Sequence, residues 1–197
     1  IQDYTYLKQN EDKIKGLIIT HGHEDHIGGI PFLLNQVNIP VIYTPKIAED
    51  LIKKKLDDRV IKYDNYVTIT KDLKLNFKHF NVEFVNTTHS IPDSFAIVVH
   101  TPNGTIFETG DFKFDLTPIG PMADIHKMAY LGSKGVTLLL SDSTNALSHG
   151  FSNSESVVDE TLNDLISRHH GRVIIATFAS NIYIIKNIAE TCKEYNR

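Results

Sequence analysis

This chain predicts a mixed α/β fold, on three grounds. Short β-branched runs alternate with helical patterns along most of the sequence. A middle block places short strand-like runs in series, joined by turn residues, as an antiparallel meander requires. Acids and histidines fall where strands should end rather than inside them. With 197 residues, 41% hydrophobic and 22% charged, the chain can bury an ordinary core and makes about one domain, or one and the beginning of another.

In chain order, residues 14–20 read as a buried strand because their apolar run is nearly unbroken. IGGIPFLLNQV (27–37) follows as a helix entered through small residues. Residues 40–43 are predicted as a strand and 45–58 as a helix with proline in its first turn, where a missing N–H is harmless. Residues 60–62, 66–70, 73–79, 82–86, 94–100 and 105–109 are predicted strands, the last two joined as a hairpin by TPNG. A helix is expected around 123–133, then GVTLLLS (135–141) as a strand. Residues 152–170 give the clearest helix. Ser152 and Glu155 have capping-box spacing, Val158, Leu162, Leu165 and Ile166 make an apolar stripe, and Gly171 stops it. RVIIAT (172–177) is expected as a strand and residues from Ser180 onward as a helix.

Composition excludes several classes. Cys192 is the only cysteine, so no internal disulfide framework exists and a reducing, cytoplasmic setting is expected. No apolar run nears the ~20 residues that cross a bilayer, and the first residues lack a signal-peptide profile, so no membrane association is expected. The chain opens on Ile1 and closes inside a helical pattern, which predicts a piece of a longer protein, truncated at both ends. Net charge is −4, which provides no bulk attraction to nucleic acid, although two divalent ions would cancel it.

HGHEDH (21–26) carries the chemistry. His21 and His23 stand two apart and point the same way in extended backbone, while Asp25 and His26 follow as the chain bends. A lone histidine at a strand end is ordinarily a surface or capping residue. Four ligand types within six positions are better served by two ions than by one. Nitrogen and carboxylate donors without thiolate suit zinc, with manganese as the alternative. Further donors stand at other strand ends: His89 in VNTTHS, Asp111 after Gly110, and Asp142 in SDSTN. Turn chemistry alone explains each of these singly.

THGHEDHIGG, TTHSIPDS, TGDFKFD, SDSTN and ATFASN, in this order, resemble the metallo-β-lactamase superfamily. More narrowly they resemble its β-CASP nucleic-acid-processing branch and the bacterial ribonuclease J family. The resemblance implies an αββα sandwich, with a partial metallo-β-lactamase domain over 1–176 and the start of a β-CASP domain over 177–197. It implies that His21, His23 and His89 ligate a first metal, that Asp25 and His26 ligate a second, and that Asp111 bridges both. Asp142 resembles the acid that opens the β-CASP motif set, standing behind the ligands or handling protons. Asp25, Asp111 and Asp142 are the catalytic residues this implies. The family adds a histidine from a later motif, which these residues do not contain. The implied cofactors are two divalent ions, Zn2+ first and Mn2+ as alternative. The implied substrate is single-stranded RNA, cut endonucleolytically and from the 5′ end in RNA maturation and mRNA decay. The implied assembly is a homo-oligomer or paralogue complex of the full-length protein.

Ser180 and Asn181 precede the last helix, and a helix N-terminus offers N–H groups to a phosphate. RNA contact is therefore expected of them, and ordinary N-capping explains them as well. Phe112, Phe114 and Phe178 are stacking or core residues. His79 and His100 are placed in strands, and His169 with His170 in a last helical turn that suits cations. KKKLDD reads as a solvated helix face. Two other functions share these residues: a thioester or lactone hydrolase of the same superfamily, and a catalytically incomplete interaction fragment.

Overall fold

The computed structural model describes residues 3–196. Its helices are α1 (Thr5–Gln9), α2 (Glu24–Ile27), α3 (Ile30–Leu34), α4 (Lys46–Asp57), α5 (Ile125–Lys134), α6 (Glu155–Arg168) and α7 (Ile182–Glu194). Its strands are β1 (Leu17–Ile18), β2 (Ile42–Thr44), β3 (Tyr66–Thr68), β4 (Lys74–Asn76), β5 (Asn81–Thr87), β6 (Ser94–Thr101), β7 (Gly104–Glu108) and β8 (Leu138–Leu140). β1, β2 and β3 make one parallel sheet. The second sheet runs β4-β5-β6-β7 antiparallel, and β8 joins β7 in parallel.

Period-two alternation sorts the side chains into layers. Val82, Phe84 and Phe95 face the first sheet and pack with Leu75, Ile18 and Tyr43. Their neighbours Val85, Ala96 and Val98 face the other way, with Phe107, onto Leu131 and Met128 of α5. On the outer side of the first sheet, Ile42 packs with Ile27, Ile30, Ala48, Ile52 and Leu56 from α2, α3 and α4. The layers therefore run helix, sheet, sheet, helix, which is the αββα sandwich the resemblance implies. α4 shows how one sequence serves two faces: Ala48, Ile52 and Leu56 recur every four residues inward. Lys53 reaches the buried Glu49 at 2.6 Å, and outward Lys54 pairs with Asp58 at 2.9 Å, so the charges of KKKLDD are solvated around a buried Leu56.

Several expected elements change. Residues 60–62 form no strand, because Val60 turns the chain with φ 58° and is 88% exposed. The helix expected over 27–37 breaks at Gly28–Gly29 into α2 and α3. Residues 14–20 shorten to the two-residue β1, residues 73–79 shorten to β4, and His79 lies outside any strand. Ser152 does not cap α6; Ser154 does, its hydroxyl accepting from the Ser156 N–H at 3.3 Å. RVIIAT forms no strand among the described residues, where no neighbouring chain supplies its ladder, and Ile174 is 88% exposed.

Asp115 clamps the loop after β7 to the start of α6. Its buried carboxylate accepts the Thr117 N–H at 2.9 Å and the Glu155 N–H at 2.8 Å. Burial acts to raise its pKa, but these bonds, Ser154 and Lys113 outweigh burial and hold it below the usual range. Asp115→Ala should therefore cost about 1.5–3 kcal/mol at neutral pH. A carboxyl with a depressed folded pKa contributes stability above its unfolded pKa and loses it as pH falls through the folded value. In urea unfolding, the gap between wild type and variant should narrow on acidification; a gap that widens would reverse this assignment.

Candidate metal centre

Four segments deliver the centre to one end of the sheets. β5 and β7 run the same way because each is antiparallel to β6, and β8 runs with β7. Their C-terminal ends therefore share an edge. The first sheet meets that edge where the Thr20 carbonyl accepts the Phe95 N–H at 3.0 Å. His21 follows Thr20, His23 caps α2, Asp25 and His26 lie within α2, and His89 stands two residues past β5. Asp111 follows Gly110, which adopts φ +56°. A Cβ there would lie 3.1 Å from Thr20 Cβ and 3.2 Å from the Phe95 carbonyl oxygen, so the turn seats directly against the His21 segment. Thr109 Oγ1 donates to the Gly110 carbonyl at 2.7 Å and accepts the Asp142 N–H at 2.9 Å, joining the β7 and β8 ends.

The structure brings all six residues with predicted ligand roles together. His21, His23, His89 and Asp111 offer ligand atoms within 4.8 Å of one another, and so do Asp25, His26 and Asp111. Asp111 belongs to both sets, one oxygen to each. Oδ2 lies 3.8 Å from His21 Nε2 and 3.7 Å from His89 Nε2. Oδ1 lies 3.5 Å from His26 Nε2, which is 3.6 Å from Asp25 Oδ2. His89 Nε2 and His23 Nδ1 are 3.0 Å apart. Donors 2.0–2.1 Å from a tetrahedral zinc sit about 3.4 Å from each other, so the spacing fits. A second observation agrees: His21 is fully buried, yet its Nε2 has no hydrogen-bond partner among the described residues. Its Nδ1 sits 3.0 Å from Thr20 Oγ1. With Nδ1–H donated there, Nε2 presents a lone pair to the cluster.

Burial favours the neutral form of His21, His23 and His89. Burial, then the rings of His26, His89 and His23, push His21 down to about 2. Burial also lowers His89 and His23, although Asp111 opposes it at both. Neutral imidazole is the ligating form, so the cluster is poised for cations rather than protons. Asp142 lines the same groove as His89 and Asp111. Burial acts to raise its pKa, but the N–H of Thr144, its hydroxyl, the Phe112 N–H and His89 lower it overall. The balance favours its carboxylate form.

Ser180 and Asn181 do not line the groove beside His89 and Asp111. Asn181 is the N-cap of α7 but makes no side-chain cap bond. Tyr183, two residues on, shares a pocket with His89 and Asp93. Phe112 and Phe114 line the groove beside Asp111 and touch edge to face at 5.2 Å, whereas Phe178 does not line it. Sequence reasoning missed Tyr183 and Glu108. A charged residue closing the apolar run GTIF was the available signal for Glu108.

The profile described as the metallo-beta-lactamase superfamily matches residues 2–149. Ribonuclease J 1 of Streptococcus pyogenes serotype M3 is 52% identical over 198 residues, spanning 100% of this chain and 35% of that protein. Ribonuclease J of Mycoplasma pneumoniae is 47% identical over 96% of this chain and 34% of its own length. The chain thus spans about a third of the curated relatives it matches. Among solved structures, a protein of unknown function from Enterococcus faecalis V583 superposes with TM-score 0.65 at 17% identity, covering 92% of this chain and 45% of that one. That likeness concerns the fold alone.

Proposed function

The chain belongs to the metallo-β-lactamase superfamily, and on that premise we propose that it carries the centre of a metal-dependent ribonuclease acting on single-stranded RNA. The carrying observation is the division of Asp111, with Oδ2 toward His21 and His89 and Oδ1 toward His26. A carboxylate so placed serves two cations at once. Similarity along the chain to proteins named ribonuclease J supports RNA over other substrates of the superfamily. In this reading His21, His23 and His89 hold one ion, Asp25 and His26 the other, and Asp111 both. Two divalent ions, zinc by donor chemistry and manganese as alternative, would supply Lewis acidity toward phosphoryl oxygens and lower the pKa of water.

The protein's own groups do the rest. Asp25, with its side chain 78% exposed, stands at the rim where it can accept a proton from the attacking water. Buried His21 fixes the floor, and Asp142, in the same groove as His89, acts on it through its charge. The groove beside Asp111, with Phe112 and Phe114 on its wall, receives the strand. We assign endonucleolytic and 5′-to-3′ cleavage, the 5′-phosphate product, and any RNA contact by Ser180 and Asn181 to the same reading.

Two measurements test it. Elemental analysis of the chain should find about two zinc ions. A polypeptide of the relatives' length containing this sequence should cleave 5′-monophosphorylated RNA and leave thioesters and lactones untouched. Turnover of a thioester with intact RNA would move the chain to the small-molecule branch, and absence of bound metal would remove the enzyme reading altogether.

A further inference from the structure

Glu108 closes β7 three residues before Asp111. Strand alternation puts it on the face opposite Phe107, toward the space between the two sheets rather than toward α5. One oxygen, Oε1, accepts the Gly110 N–H at 2.9 Å and so braces the turn that presents Asp111. The other, Oε2, is buried and has no hydrogen-bond partner among the described residues. Native proteins rarely leave a buried carboxylate oxygen unmet, and such an atom calls for a reason. Burial pushes the Glu108 pKa up; the Gly110 N–H and His26 oppose that, while Asp111 adds to it. A cation held by His26 and Asp111 would supply the charge this carboxylate lacks, and Glu108 stands behind Asp111 through the Gly110 turn.

Resting on the two-cation reading above, we propose that Glu108 is a positioning residue for the second metal subsite, its carboxylate charge steadying the His26–Asp111 pair once a cation is bound. It touches neither substrate nor reacting atoms. Its two oxygens divide the work: Oε1 sets the Gly110 turn, and the charge shared with Oε2 offsets the positive centre assembled in front of it. Groups standing behind metal ligands in this way commonly change affinity by about 10–100-fold.

Cobalt(II) titration followed by visible absorption separates this from a purely structural part. Wild type should bind cobalt in two resolved steps. Glu108→Gln is isosteric and keeps an oxygen for the Gly110 N–H, so a role confined to that bond predicts full rescue. The charge role predicts instead that Gln weakens the second step by about 10–100-fold and leaves the first unchanged. Glu108→Asp, which keeps the charge but shortens the arm, should retain second-step binding better than Gln. Two steps of wild-type affinity in Glu108→Gln, or a Gln variant that cannot fold without metal, would overturn the proposal. A wild type that binds no cobalt would overturn the metal centre itself, so the two failures are distinct.

Discussion

On the proposed function, Asp111→Ala in a polypeptide of the relatives' length should lower RNA cleavage by about 10³-fold or more, because one side chain would serve both halves of the centre. Oδ1 and Oδ2 divide between His26 on one side and His21 with His89 on the other. Alanine would therefore remove a proposed ligand from each ion, and bound zinc should fall from about two per chain to one or fewer. The fold should survive. Asp111 is partly exposed, and the Gly110 turn is held by Glu108 and Thr109 rather than by Asp111. Elemental analysis, a single-turnover assay on 5′-monophosphorylated RNA and thermal unfolding of the metal-free protein together check this. Near-normal turnover, or two ions retained by the variant, would show that Asp111 bridges nothing.

Phe84→Ala should be the largest single loss of stability, about 3–5 kcal/mol. Phe84 is wholly buried where the two sheets face each other, and meets Phe95 edge to face at 6.5 Å. The cavity left behind is bounded by β strands that cannot collapse without breaking their ladders, which places the cost at the upper end for such a change. β5 also carries His89 just past its end, so the loosened strand should weaken metal binding along with the fold. Urea unfolding should show a lower midpoint with an unchanged slope. A change below about 1 kcal/mol would mean that the sheets do not pack through this residue.

Local patterns carried much of the fold. The short β-branched runs over 82–86 and 94–100 announced strands, and these form as β5 and β6 with one core on each side. Proline in the first turn of 45–58 announced a helix, and α4 forms there with Ala48, Ile52 and Leu56 buried. Where the local signal failed, a nonlocal partner decided. Residues 172–177 have β-branched side chains suited to a strand, yet none forms without a neighbour's carbonyls to meet its N–H groups. Ser152 had the right spacing for a cap, but Ser154 occupies the position and Asp115, far off in sequence, takes the Glu155 N–H.

The same division holds at the centre. The crowding of HGHEDH and the glycine before Asp111 were written in the chain, because donor chemistry and backbone freedom are properties of single residues. That Asp111 comes within 3.8 Å of both His21 and His89 was decided by how two sheets stack, which joins His21 to residues 68 and 90 positions away. So was the lone oxygen of Glu108, since burial belongs to surroundings and not to a residue type. Sequence named the donors; packing set which atom of each faces which neighbour, because distances between remote segments exist only once a shared core has excluded water between them.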